Sequence, residues 1–154
     1  MKKSGFLAVA LLMMASYGTA QEVNEPQTAP QRRPRPQLYT IPTDAPVLTK
    51  QADGSVVVNT SALCTDVKGY KDMTPVTITI KKNVVTAIEA LRNNETPRYL
   101  DMAKVILQKW VGLKPDKAQA LEVDAVTGAT FTSKALTENV RRGLKYYQEN
   151  KSKK

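Results

Sequence analysis

Histidine is absent from the 154-residue sequence, and cysteine occurs once, as Cys64. A chain without histidine cannot form a Cys-x-x-Cys-His haem attachment, a histidine-based zinc site or a Ser-His-Asp triad. A chain with one cysteine cannot form an internal disulfide, so Cys64 is expected to be a small buried residue. These absences exclude most hydrolase and metalloenzyme classes, and we predict no catalytic residue and no metal ligand.

The apolar run at the N-terminus is too short to span a bilayer stably. Residues 1–20 begin with Lys2 and Lys3, continue with an apolar stretch over residues 6–14, and end in small residues up to Ala20. This order is typical of a secretory signal peptide, and we predict cleavage after about Ala20. The protein would then be exported to the periplasm or another extracytoplasmic space; an uncleaved, retained anchor is the alternative.

Proline is concentrated in residues 21–47, which hold six of the nine prolines and few large apolar residues. This composition predicts an extended spacer, either a tether that holds a domain away from a surface or a tail with no specific role. We therefore expect one folded domain at residues 48–150 and a basic tail at residues 151–154. The formal net charge is +9, and the basic ends predict attraction for anionic surfaces rather than a nucleic-acid module.

Within the domain, the hydrophobic periodicity changes from that of strands to that of helices. "DGSVVVNT" predicts a turn and a strand, and "TPVTITI", "KKN" and "VVTAIEAL" predict a hairpin over residues 75–91. A helix follows with Thr96 as N-cap and Pro97 in its first turn, and it ends at Gly112 and Pro115. A last helix starts at about Ser133. The predicted fold is α+β, a small antiparallel sheet with a hairpin and two main helices. The expected buried faces are Tyr99, Met102, Ala103, Ile106, Leu107 and Trp110 in the first helix, and Leu136, Val140, Leu144 and Tyr147 in the last.

Each predicted helix is preceded by an informative loop, "NNETP" for the first and "VDAVTGATFTSK" for the last. The second loop places four hydroxyl side chains around Gly128 and Ala129, which carry no bulky side chain. Backbone amides and the helix dipole make such a helix start a natural phosphate site, although an ordinary N-cap with a turn glycine remains the alternative. The hydroxyl residues are Thr127, Thr130, Thr132 and Ser133, of which Ser133 is the expected N-cap.

The segment "DAVTGAT", residues 124–130, resembles the Asp-x-x-(Ser/Thr)-Gly-Ala-(Thr/Ser) motif of FMN-binding domains. These domains occur in the C-type subunit of sodium-pumping NADH:quinone oxidoreductases, the G-type subunit of Rnf complexes and small exported flavoproteins. Residues 67–97 are similar to the Gly-Tyr segment, the hairpin and the Glu-Thr-Pro loop of that family, and "FTSKALTENVRRGL" resembles its closing helix. The resemblance covers roughly residues 53–147 in the right order and spacing.

The resemblance implies FMN joined through its phosphate to the hydroxyl of Thr130. A separate flavin transferase makes this bond in the family by passing FMN from FAD to the hydroxyl. It also implies that Gly128 and Ala129 leave room for the transferase, and that Asp124 either fixes the loop or is read by the transferase. Thr127 and Thr132 are expected to donate hydrogen bonds to the phosphate.

The same resemblance implies a border for the flavin ring. Tyr70 in the Gly-Tyr segment is expected beside the ring, as are Glu95, Thr96 and Pro97 of the Glu-Thr-Pro loop. Glu95 could instead complement a helix N-terminus by charge, and Ser133 could contact the flavin instead of capping. The sequence departs from the family pattern at Arg98, where glycine is common, and at residues 93–94, where histidine is common.

The implied function is an exported covalent FMN electron carrier. It would pass electrons between a membrane dehydrogenase or quinone pool and an extracytoplasmic acceptor, as an electron-transfer module rather than a stand-alone enzyme. Two alternatives remain open at this point. One is a non-covalent FMN-binding domain or small flavin reductase, and the other is a non-redox adaptor that binds anionic partners through its basic ends.

Overall fold

The computed structural model describes residues 37–151, and the predicted signal peptide and most of the Pro-rich segment lie outside them. The fold is α+β, as predicted, with one four-stranded sheet and three α-helices. The strands are β1 (Leu48–Lys50), β2 (Val56–Asn59), β3 (Val76–Lys81) and β4 (Val84–Ala90). The helices are α1 (Pro97–Lys104), continued as a 3₁₀-helix over Val105–Trp110, α2 (Pro115–Ala120) and α3 (Thr130–Asn150).

All strand pairs are antiparallel, and the strands lie in chain order. The predicted hairpin is confirmed as β3 and β4, joined at Lys82 and Asn83, whose φ angles of 50° and 57° suit a tight hairpin turn. The register shifts near Thr79 because β4 holds one extra residue, Thr86. This bulge, which the sequence analysis did not predict, lets Val85 and Ile88 both face the core.

Helix α3 packs against the sheet with the apolar face that its periodicity predicted. Leu136, Val140, Leu144 and Tyr147 are all buried. The approach is closest at Gly143, where an added Cβ atom would lie 2.7 Å from Cδ1 of Ile78. The backbone of α3 therefore packs directly against the side chain of Ile78 at this position.

Helix α1 begins as predicted, with Thr96 in the N-cap position and Pro97 in the first turn, but the Thr96 side chain makes no capping hydrogen bond. On its expected inner face Ala103, Ile106, Leu107 and Trp110 are buried, Met102 is half-buried, and Tyr99 is exposed. The prediction was therefore wrong for Tyr99. Pro115, expected only to follow the end of this helix, opens the short helix α2, which was not predicted.

The segment after Trp110 lies along the outer edge of β4. The amide of Val85 donates to the carbonyl of Leu113 (2.9 Å), and the carbonyl of Val85 accepts from the amide of Gly112 (2.8 Å). The indole of Trp110 donates to the carbonyl of Ala118 (3.0 Å) and so holds α2 beside this segment.

The domain begins before residue 48, the boundary expected from proline content. Ile41 is buried, and the backbone amide and carbonyl of Tyr39 exchange hydrogen bonds with the side chain of Asn94 (2.7 and 2.8 Å). The Arg92 guanidinium lies 4.1 Å from the centre of the Tyr39 ring. Residues 39–47 are thus part of the packed domain, because their few apolar residues are placed to cover it. Among residues 37–151, no helix has the length and apolar character needed to cross a membrane.

Candidate functional site

A cavity of about 300 Å³ lies where helix α1, the start of α3 and the loop that carries Gly69 and Tyr70 (the Gly-Tyr loop) meet. Its volume is at the lower end of the range of about 300–1,000 Å³ typical of small-molecule sites. Its walls combine aromatic rings with the backbone of the Gly-Ala segment. The lining residues are Tyr70, Tyr99, Gly128, Ala129, Thr130, Phe131 and Thr132.

Helix α3 starts at Thr130, three residues earlier than predicted, with Ala129 in the N-cap position. Alanine has no acceptor side chain, and α3 has no capping hydrogen bond from a side chain. The expected N-cap Ser133 is instead buried in the first turn, where its Oγ accepts a hydrogen bond from the amide of Val126 (3.2 Å). The first-turn amides of a helix have no carbonyl partner in the preceding turn, so this uncapped start favours an anion.

Gly128 adopts a φ of +84°, in the left-handed region that favours glycine. A Cβ atom there would lie 3.4 Å from Cε of Met102, which is ordinary contact. Glycine is therefore needed for the backbone conformation of the loop rather than for space. Ala129 is buried, so the room expected at the Gly-Ala pair lies at exposed Gly128 alone.

The three threonines of the motif differ in environment. Thr130 is exposed at the cavity, and its hydroxyl makes no hydrogen bond within residues 37–151. Thr127 is exposed but does not line the cavity. Thr132 is buried, and its hydroxyl donates to Oε2 of Glu95 (2.8 Å). Because the one proton of this hydroxyl is used internally, the structure does not support the expected donation from Thr132 to a phosphate.

Glu95 joins the loop that carries Tyr70 to the first turn of α3. Its Oε1 accepts from the amide of Lys71 (2.8 Å), and its Oε2 accepts from Thr132. An added Cβ atom at Gly69 would lie 2.7 Å from Oε1, so glycine is required for this approach. Glu95 does not line the cavity, so the structure does not support the expected ring contact; its buried carboxylate instead fixes the loop that carries Tyr70.

The rest of the Glu-Thr-Pro loop supports the site without lining it. Thr96 and Pro97 occupy the N-cap position and the first turn of α1 and do not line the cavity, and Arg98 is exposed and also outside it. Asn94, at a position where histidine is common in the family pattern, donates to Oδ2 of Asp72 (2.8 Å) as well as binding Tyr39. This asparagine thus ties the start of the domain to the Gly-Tyr loop, a role that no local pattern indicates.

Three exposed aromatic rings surround the cavity. Tyr70 is 65% exposed, Tyr99 37% and Phe131 67%. The ring centre of Tyr70 lies 6.4 Å from that of Tyr99 and 6.5 Å from that of Phe131. The expected place of Tyr70 at the site is thus matched by its geometry, whereas Tyr99 and Phe131 were missed as site residues. An aromatic residue directly after Thr130 was the available signal for Phe131.

Asp124 lies outside the cavity. Its side chain is exposed and lines a separate depression with Lys134, Thr137 and Arg141 of α3. No hydrogen bond to its carboxylate is formed within residues 37–151, so the structure does not support a role in fixing the loop.

In this small α+β domain, an uncapped helix start beside an aromatic cavity suits a cofactor that carries a phosphate and a planar ring. A sequence model of the FMN-binding domain family matches residues 69–145, half of the chain. The chain therefore belongs to the FMN-binding domain family, and the predicted family is confirmed together with a flavin-binding role. No curated protein and no solved structure matches the chain significantly.

The residues at the cavity fit this cofactor. The start of α3 suits a phosphate, and the exposed rings of Tyr70, Tyr99 and Phe131 suit a planar apolar ring system.

Proposed function

We propose that this protein is an exported flavoprotein electron carrier whose FMN is joined by a phosphoester to Thr130. One observation supports Thr130 as the attachment site. Of the hydroxyl residues in the motif, only Thr130 is both exposed and part of the cavity wall. Thr132 and Ser133 are buried with their hydroxyl groups engaged, and Thr127 does not line the cavity. A transferase active site can reach Thr130 without unfolding α3.

The attachment chemistry needs an accessible alcohol and a site for the resulting negative charge. The Thr130 oxygen forms a bond to the FMN phosphorus of FAD, the diphosphate bond breaks, AMP leaves and the hydroxyl proton is lost to a base of the transferase. The phosphoester then carries one negative charge at the first turn of α3, where the helix dipole and the uncapped amides stabilise it. The Asp124 side chain is exposed, and its carboxylate makes no hydrogen bond within residues 37–151. We propose that the transferase recognises it during flavin attachment.

The bound flavin supplies reversible uptake and release of electrons, and the protein supplies anchoring, orientation and electrostatics. The exposed aromatic wall leaves the ring region accessible to a partner protein. We propose that the partners are a membrane dehydrogenase or quinone pool and an extracytoplasmic acceptor. Covalent attachment suits export, since a dissociable cofactor is lost outside the cytoplasm.

The test is co-expression with a flavin transferase, followed by peptide mass spectrometry for one added FMN minus one water. Thr130→Ala should abolish the label, and Thr130→Ser should keep part of it because the alcohol survives. Thr127→Ala is the matched control, since this exposed threonine lies outside the cavity lining and should keep the label. Asp124→Ala should lower labelling with an unchanged melting temperature, because its carboxylate makes no internal hydrogen bond.

The remaining outcomes contradict either the attachment site or the proposed function. Label on another residue, or an undiminished label in Thr130→Ala, overturns the attachment site. A yellow protein whose flavin is released by acid is a non-covalent carrier or reductase. A colourless protein from a host with an active transferase is the non-redox adaptor.

A further inference from the structure

The outer face of α3 carries three cations that the rest of the domain does not neutralise. Lys134 and Lys145 are exposed, and Arg141 is half-buried. None of the three forms an ion pair within residues 37–151. We refer to Lys134, Arg141 and Lys145 as the cationic row.

Arg141 is the most constrained member of this row. It lines two adjoining depressions in the surface, of about 420 and 460 Å³, and its Nε is buried without a hydrogen-bond partner among residues 37–151. Glu138 lines both depressions as well, but its carboxylate accepts a hydrogen bond from Nε of Arg142 (2.8 Å). A half-buried guanidinium loses little further side-chain freedom when it binds, and its planar group matches a carboxylate. Arg141 is therefore suited to a carboxylate of another molecule.

The cationic row lies on the same face of α3 as the Thr130 hydroxyl. Its members follow Thr130 by about one, three and four helical turns, and such spacings place side chains one above another. The row therefore extends about 22 Å along the helix axis from Thr130. Asp124 lines the same depression as Lys134 and Arg141. A molecule that reaches both Asp124 and Thr130 thus has the cationic row beside it.

The charge around this face changes along α3. The depression near the start of the helix has the carboxylates of Glu122 and Asp124 in its wall. The wall of the other depression has three cationic side chains and one carboxylate, those of Arg141, Arg142, Lys145 and Glu138. A partner with complementary charges can lie along the helix in one direction only, because the reverse direction brings like charges together.

We infer that the cationic row is a docking surface for carboxylate side chains of the flavin transferase, an inference that rests on the proposed function. The row orients the transferase along α3 so that its active site lies at Thr130. Arg141 and Lys145 take no part in the transfer itself, because they lie about 16 and 22 Å from Thr130 along the helix axis. Their attraction acts on the encounter and weakens as the ionic strength rises.

The test measures the initial rate of FMN attachment to the full chain by the purified transferase of the native host, at increasing concentrations of the acceptor protein. Arg141→Glu and Lys145→Glu should each raise KM for the acceptor several-fold and leave kcat nearly unchanged. Added salt should raise the KM of the parent more than that of either variant.

Lys50→Glu is the matched control. Lys50 is an exposed cation of β1 that forms no ion pair within residues 37–151 and lines neither depression, so the variant makes the same change of charge elsewhere. Lys145 is exposed, so Lys145→Glu gives the answer if Arg141→Glu does not fold. An unchanged KM, or an equal rise in Lys50→Glu, would overturn the docking surface while leaving Thr130 as the attachment site.

Binding of the transferase to Thr130→Ala, followed by calorimetry, separates the docking surface from the attachment. This variant lacks the acceptor hydroxyl but keeps the cationic row. If the parent itself receives no label, the proposed attachment fails. Salt-sensitive binding to Thr130→Ala that an added Lys145→Glu weakens then still supports the docking surface, and absence of binding refutes it.

Discussion

Glu95 fixes the geometry of the site although its side chain does not line the cavity. Its buried carboxylate accepts hydrogen bonds from the Lys71 amide and the Thr132 hydroxyl, groups that belong to different parts of the chain. A carboxylate is suited to this place because it offers acceptors in several directions and needs no donor.

Burial raises the pKa of the Cys64 thiol to about 11, so this lone cysteine is not a nucleophile at neutral pH.

We expect Glu95→Ala to lower the free energy of unfolding by about 3 kcal/mol, because it leaves buried donors unpaired. Glu95→Gln should cost less, about 1 kcal/mol, since its amide oxygen can still accept from the loop while the Thr132 hydroxyl turns to accept. Urea unfolding followed by circular dichroism measures both. Equal stability of Glu95→Ala and the parent would show that solvent reaches this carboxylate.

At the scale of elements, the fold depends on how closely α3 approaches the sheet. Gly143 lies in the middle of α3, where alanine would ordinarily be the better helix former by about 1 kcal/mol. An added methyl group would meet Cδ1 of Ile78 at 2.7 Å and Cγ2 of Thr60 at 2.9 Å. These neighbours are held in a packed core. The destabilisation from this steric contact therefore exceeds the stabilisation that alanine would give to the helix.

Gly143→Ala is therefore expected to destabilise the domain by about 1 kcal/mol or more, from an overpacking cost of about 1–3 kcal/mol. Thermal unfolding by calorimetry measures the change. Lys145→Ala, on the exposed side of the same helix, serves as the control and should leave stability nearly unchanged. A stabilised Gly143→Ala would mean that α3 moves away from the sheet at little cost.

Strong local patterns account for the elements that were predicted. Alternation located β3, and the spacing of Leu136 and Val140 located the buried face of α3. The start of α3 was misplaced because several hydroxyl residues compete as caps, and the structure uses none of them. Thr86 was not predicted as a bulge because the extra residue follows from pairing with β3, which local sequence does not encode.

For the whole molecule, the least predictable feature is the packing of the chain before β1. Tyr39 and Asn94 are 55 positions apart, and no periodic pattern in the sequence predicts their hydrogen bonds. The six prolines of residues 21–47 suggested a spacer throughout, although Ile41 and Val47 lie against the domain. Composition thus does not indicate the point at which this segment joins the domain.

Deletion of residues 21–36 should leave the melting temperature unchanged, because it removes none of the contacts described for the domain. Deletion of residues 21–47 should lower it, since Ile41 and the Tyr39–Asn94 hydrogen bonds are lost. Ile41→Ala alone should cost about 2 kcal/mol, with exposed Leu38→Ala as the neutral control. Equal melting temperatures for the two deletions would show that residues 37–47 contribute no stability.

The hydrogen bonds of Val85 to residues 112 and 113 have a consequence for self-association. An open sheet can recruit a strand from another molecule at either border, which leads to aggregation. Here one border is β1, only three residues long and carrying the exposed Thr49 and Lys50, and the other is interrupted at Val85. At Val85, a second molecule could pair with β4 only by displacing the chain between Trp110 and α2. Pairing of the sheet backbone with a second copy of the domain is therefore disfavoured at both borders.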